Sequence, residues 1–133
     1  MNGLRREIPT QDFKKLKLWE KGHRLTLAVY ELTAQFPTEE RSGLTSQMSR
    51  AAASIVCNIA EGCGRAGHAD FARFPQMATG SASELEYQLL LAYDLKFLDS
   101  HNFQQVEAQV VETRRMLISL IQRLRNQHDI THP

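Results

Sequence analysis

Phe103, Val106, Val110, Thr113, Leu117, Leu120 and Leu124 recur at alternating steps of three and four residues. That spacing draws a single stripe along an α-helix and makes the seam of a helix packed lengthwise on others. Three further runs share the helical period, and no stretch alternates apolar with polar residues as a half-buried strand does. The pattern predicts a first helix from about Asp12 to Phe36, stopped by Pro37, and a second from about Leu44 to Glu61, closed by Gly62 and Gly64. A third runs from about His68 to Phe97 with Pro75 near its start. The fourth, capped by Asp99 or Ser100, reaches about Gln127. Connections this short make neighbours antiparallel, so the expected fold is all-α: an antiparallel up-down-up-down four-helix bundle. Residues 1–11 read as a flexible N-terminal tail, 12–127 as the bundle and 128–133 as a C-terminal tail.

Composition narrows the function classes. A chain of 133 residues is one domain, large enough to hold a core without a metal or a disulfide. Sixteen Lys and Arg oppose fifteen Asp and Glu, so bulk charge recruits neither nucleic acid nor membrane by itself. No apolar run approaches the ~20 residues of a membrane span, and the first residues lack the apolar stretch of a secretory signal. Cys57 and Cys63 have neither zinc spacing nor good disulfide geometry. The expectation is a cytoplasmic protein with reduced thiols and no cofactor.

Helix 1 carries two apolar stripes. Phe13, Leu16, Trp19, Leu27, Tyr30 and Ala34 share one face, and Leu18, Leu25, Val29, Leu32 and Phe36 share another, nearly opposite. Lys15, Thr26 and Thr33 separate them on one side, and Lys17, Lys21, Arg24 and Gln35 on the other. A helix of a monomeric bundle needs one buried stripe, and a long apolar stripe left in water marks an interface. The reading is self-association through Leu18, Leu25, Val29, Leu32 and Phe36, with Trp19 and Tyr30 in the core row. Coverage of the spare stripe by the N-terminal tail is the alternative.

Helices 2 and 3 add a polar row. Gln47, Arg50, Ser54, Asn58, Glu61 and Arg65 stay on one side of helix 2, and Ser81, Glu84 and Gln88 answer on helix 3. Folding the two antiparallel sets Ser54 against Ser81, Arg50 against Glu84, Gln47 against Gln88 and Asn58 against Met77. Small residues meet at Ala53-Ser54 and Gly80-Ser81-Ala82, letting the backbones approach. A half-buried arginine needs an acceptor, so the row predicts an Arg50–Glu84 salt bridge inside a structural hydrogen-bond network. Nothing supplies a nucleophile–base pair, so a catalytic site is disfavoured.

Three motifs resemble chemistry without its context. Gly62-Cys63-Gly64-Arg65-Ala66-Gly67 spells a dinucleotide fingerprint, but a helix precedes it rather than a strand. A weaker version survives, a phosphate held at the following helix start beside Arg65. Glu20 and His23 form the Glu-x-x-His of di-iron bundles, without a second copy. The cations Lys14, Lys17, Lys21 and Arg24 on helix 1, Arg65 and Arg73, and Arg114, Arg115, Arg123 and Arg125 on helix 4 form candidate phosphate-binding stripes. Solvated helix faces explain them equally well.

The string Gly43-Leu44-Thr45-Ser46-Gln47, Arg50-Ala51, Ser54-Ile55, Asn58-Ile59-Ala60-Glu61-Gly62 and Arg65 resembles a known family, as do Phe71, Phe74, Ala78, Gly80-Ser81 and Glu84-Leu85. With Trp19, Val29-Tyr30 and Phe36-Pro37 they are similar to the bacterial four-helix bundle proteins first noticed in intervening sequences of large-subunit ribosomal RNA genes. Accessory variability proteins of diversity-generating retroelements, which work beside a reverse transcriptase, share the style. The resemblance spans about residues 13–124. It implies a ring-like homopentamer and a nucleic-acid-binding role without established catalysis. The chain departs from the family at Ser49, where a second arginine is usual, at Val56-Cys57, and at Pro75, which should kink helix 3.

The functional expectation is therefore a non-enzymatic homo-oligomer, a pentamer by resemblance, that binds RNA or DNA or assists a reverse transcriptase. The runner-up is a protein-interaction scaffold with no nucleic-acid contact.

Overall fold

The computed structural model describes residues 13, 16–64 and 72–131, of which 127–131 by backbone alone. The described chain forms α1 (Lys17–Thr33), a 3-10 turn (Thr38–Glu40), α2 (Leu44–Gly64), α3 (Arg73–Asp94) and α4 (Ser100–Thr131), with no strand among the described residues. α1 and α3 each pack on α2 and α4, so α1 and α3 hold opposite corners of the bundle. Gly22 lies against Val56 while Thr26 reaches the Ala52 carbonyl, so α1 and α2 run in opposite directions. Arg114 pairs with Glu86 and Tyr93 stacks on Phe103, which makes α3 and α4 antiparallel too. Phe36 meets Phe97 at 5.4 Å, bringing the ends of α1 and α3 side by side.

Each helix presents its apolar stripe to the common axis. Val106, Val110, Thr113 and Leu117 of the α4 seam are buried, Ile121 joins them, and Phe103 and Leu120 pack at the margin. They meet Leu25 and Val29 of α1, Met48 and Ile55 of α2, and Ala78, Ala82, Leu85 and Leu89 of α3, all fully buried. Each such leucine contributes roughly 1.5–3 kcal/mol of burial. Thr113 enters this core because its hydroxyl donates to the Gln109 carbonyl at 2.8 Å.

Local chemistry fixes the helix ends. Asp99 caps α4, its carboxylate accepting the Asn102 N–H at 2.8 Å. Glu40 accepts the Leu44 N–H at 3.1 Å and so satisfies a free donor at the start of α2. α3 closes through Lys96 in the left-handed region (φ 66°), with the Phe97 N–H on the Ala92 carbonyl at 2.9 Å.

Several boundaries differ from those the sequence predicts. α1 ends at Thr33, because Gln35 and Phe36 turn back onto Leu32 and Thr33 and Pro37 forbids a helical residue before it. α2 continues through Gly62 and Gly64 rather than closing at Glu61. α4 runs to Thr131, past the Gln127 expected as its end. Pro75 occupies the first turn of α3 as described, where its missing N–H has no intrahelical acceptor. The expected kink therefore has no cause. The N-terminal tail and the start of helix 3 at His68 lie outside the described residues.

The larger correction concerns α1. Leu18, Leu25, Val29 and Phe36 are buried in the chain's own core, and Leu32 packs against it. They are not free to form an oligomer interface. The part left in water is the later half of the other stripe, on which Leu27 is 57% and Tyr30 56% exposed, while Leu16 and Trp19 pack partly buried against the core. Gly22 decides between them: a Cβ there would stand 2.8 Å from Val56 Cγ1, so only this side of α1 can approach α2 so closely. Thr26 and Thr33 flank that side and satisfy their hydroxyls on the Gly22 and Val29 carbonyls, at 2.8 and 2.9 Å. Their polarity is therefore no obstacle to burial.

Candidate nucleic-acid interface

The alternating helix directions bring the starts of α1 and α3 to the same end of the bundle as the finish of α4. Lys17 and Arg73 stand at those starts, and Arg123 and Arg125 near that finish, all exposed. The opposite end carries Glu39, Glu40, Asp94 and Asp99 against Arg41 and Lys96. Glu20 and Glu61 share the first end, yet cations outnumber acids there and acids outnumber cations at the other, which makes a nearly neutral chain polar along its long axis.

The candidate cations are not equivalent. Lys21 pairs with Glu112 at 3.3 Å and Arg24 with Glu20 at 3.2 Å, both across partly exposed surface. Arg114 is half-buried against Glu86 and ties α4 to α3. Arg73 is exposed and lies over the Phe74 ring at 4.7 Å. Lys17, Arg115, Arg123 and Arg125 are exposed and make no ion pair among the described residues. These and Arg73 are the groups available to an anion without breaking an internal pair. Lys14 and Arg65 lie outside the described residues, as does the latter part of the Gly62–Gly67 motif.

The polar row divides in two. Ser54 and Ser81 share a hydrogen bond at 2.9 Å, and Asn58 donates to the Ser54 carbonyl and hydroxyl at 2.8 and 3.1 Å. This seam brings α2 and α3 close at their small residues. The Arg50–Glu84 salt bridge is absent: both side chains are exposed and make no contact with each other. An arginine in water needs no acceptor, so the premise of half-burial fails. Gln47 and Glu61 are likewise exposed. Gln88 is buried, with its Oε1 unpartnered.

On the outer face of α1, His23 stacks on Trp19 at 4.8 Å and Phe13 tilts against the same indole at 5.2 Å. Trp19 is half-buried and packs with Leu16 against the core, whereas Leu27, Tyr30 and Ala34 are exposed, so the later half of the row expected in the core is a surface. Gly22, visible in the sequence beside two equal stripes, was the signal for that orientation. Among the described residues no helix is long and apolar enough to cross a membrane, and no group of three His, Cys, Asp or Glu could hold a metal.

The family model of the 23S rRNA-intervening sequence proteins matches residues 14–119. The chain belongs to that family. Its Trp19, Asn58-Ile59-Ala60-Glu61-Gly62 and Gly80-Ser81 all fall inside the matched span. Among solved structures it is similar to a protein of unknown function of the S23 ribosomal protein family from Bacteroides thetaiotaomicron. That likeness has a TM-score of 0.71 at 23% identity, over 79% of this chain and 95% of the other. It establishes the four-helix fold. No curated protein matches. Neither family description denotes an enzymatic activity.

Proposed function

We propose that the protein is a non-enzymatic helical bundle that assembles with copies of itself and binds nucleic acid through its cationic end. The segregation of charge carries this reading. Lys17, Arg73, Arg123 and Arg125 gather where three helices begin or finish, while the acids Glu39, Glu40, Asp94 and Asp99 occupy the far end. Phosphate contacts supply most non-specific nucleic-acid affinity, and a site that multiplies a few free arginines over several copies gains steeply. Membership of the 23S rRNA-intervening sequence family is consistent with such a ligand, and the pentamer is the assembly that the family resemblance implies. The exposed row on α1, with Leu27 and Tyr30, supplies apolar surface for the assembly.

The test is retention of a structured RNA and of duplex DNA across a salt series. Each phosphate neutralised adds about 0.9 to the slope of log K against log salt on a duplex. Reversing Arg123 and Arg125 to glutamate should flatten that slope and abolish retention at moderate salt. Glu39→Lys and Asp94→Lys, at the far end, should leave the contact at the basic end intact. Binding indifferent to salt, or none at low salt, refutes the nucleic-acid reading and leaves an interaction scaffold.

A further inference from the structure

We infer that the ligand of the cationic end is duplex DNA, with the outward ridge of the last turns of α4 seated in its major groove. The inference rests on the nucleic-acid reading just proposed and adds the class of ligand and the side chains that read it. Two contacts orient α4. Glu112 meets Lys21 of α1 and Arg114 meets Glu86 of α3, so these two residues mark the flanks of α4 that face its neighbours. Eleven residues later, three turns within about 20°, Arg123 repeats the α1 flank and Arg125 the α3 flank. Between the flanks, on the side away from the core, Arg115, Ser119, Gln122 and Asn126 follow at steps of four, three and four, and all are exposed.

Each flank is matched by a cation on the neighbouring helix. The Arg114–Glu86 pair and the Tyr93–Phe103 stack set Arg73 level with Arg125 within two residues. The Lys21–Glu112 pair sets Lys17 level with Met116, about two turns short of Arg123. No Asp or Glu occurs from Thr113 to Asn126. The surface is therefore a ridge tipped with amides between two rows of positive charge. A duplex offers the complement, base edges between two rows of phosphates. The major groove of B-DNA, about 12 Å wide, admits an α-helix, and there one Asn or Gln amide takes adenine N6 and N7 together. Gln122 and Asn126 stand about 6 Å apart along the axis, close to two base steps of ~3.4 Å. Ile118, 41% exposed beside them, supplies the apolar contact that a thymine methyl accepts. The major groove of A-form RNA is deep and narrow, so side chains do not reach its bases. A single strand is held by aromatic platforms, and no aromatic residue stands between Glu112 and Asn126.

The probes are a DNA duplex enriched from a randomised pool on the parent protein, the RNA duplex of the same sequence, and one DNA strand alone. Fluorescence anisotropy at low salt should rank the DNA duplex at least about 10-fold tighter than either other form. Gln122→Ala with Asn126→Ala should weaken binding of the enriched duplex about 10- to 100-fold and leave the salt slope unchanged. Arg123→Ala with Arg125→Ala should weaken every duplex alike and lower that slope by about 2 per bound copy. Purines whose N7 is replaced by carbon should reproduce the amide loss in the parent and add nothing in the Gln122→Ala, Asn126→Ala protein. All four residues are exposed, so circular dichroism should show both variants folded as the parent is. RNA or the single strand held as tightly as the DNA duplex, no enrichment from the pool, or full affinity without the two amides overturns the groove contact while nucleic-acid binding stands. Retention of none of the three probes overturns both.

Discussion

Replacing Gly22 by alanine sets two effects of similar size against each other. Alanine in place of a helix-interior glycine gains about 1 kcal/mol of propensity. The new Cβ, however, would stand 2.8 Å from Val56 Cγ1 and 3.6 Å from Ile55 Cγ2. Overpacking of this kind costs typically about 1–3 kcal/mol. Val56 cannot simply turn away, because a β-branched side chain in a helix is held about nine-tenths in one rotamer. Gly22→Ala should therefore destabilise by about 1 kcal/mol. With Val56→Ala in the background the obstruction is gone, and the same change should stabilise by about 1 kcal/mol. The coupling of about 2 kcal/mol is well above the few tenths expected of independent sites. Urea unfolding followed by circular dichroism reads it, with all four variants compared at one protein concentration. Equal effects of Gly22→Ala in the two backgrounds would refute the argument that this glycine selects the buried face of α1.

Gln88→Met should raise stability by about 1–2 kcal/mol, since it removes a buried acceptor without a partner at little change in volume; a lower urea midpoint would show that Oε1 is satisfied in solution. Lys96→Gly relieves a left-handed residue at the end of α3 and should gain about 1 kcal/mol, seen as a melting point higher by a few degrees. Arg50→Met should change stability by less than about 0.5 kcal/mol, because the exposed guanidinium has no partner to lose. Leu25→Ala, by contrast, truncates a fully buried side chain and should cost about 2–5 kcal/mol in the same denaturation assay.

The sequence makes the helices far more legible than their orientation. The α4 seam has one apolar stripe and strong acids and bases elsewhere, so its buried side is unambiguous. α1 offers two stripes of equal greasiness, and periodicity cannot rank them. The deciding residue is Gly22, which has no hydropathy and acts only through the space it leaves for Val56. The α2–α3 register was readable, because Ser54 and Ser81 are small residues in the middle of facing rows, and they do bond. Exposure was not readable from that register: Arg50 and Glu84 stand level with each other's neighbourhood yet extend into water. The polarity of charge along the bundle was hidden for a different reason. It arises only when alternate helices reverse direction, which brings residues as distant as Lys17, Arg73 and Arg125 to one end.

That polarity makes the molecule an electric dipole. Near a polyanion at low ionic strength it turns before it touches, so that most encounters begin at the basic pole; at physiological salt the torque acts only within a Debye length of about 8 Å.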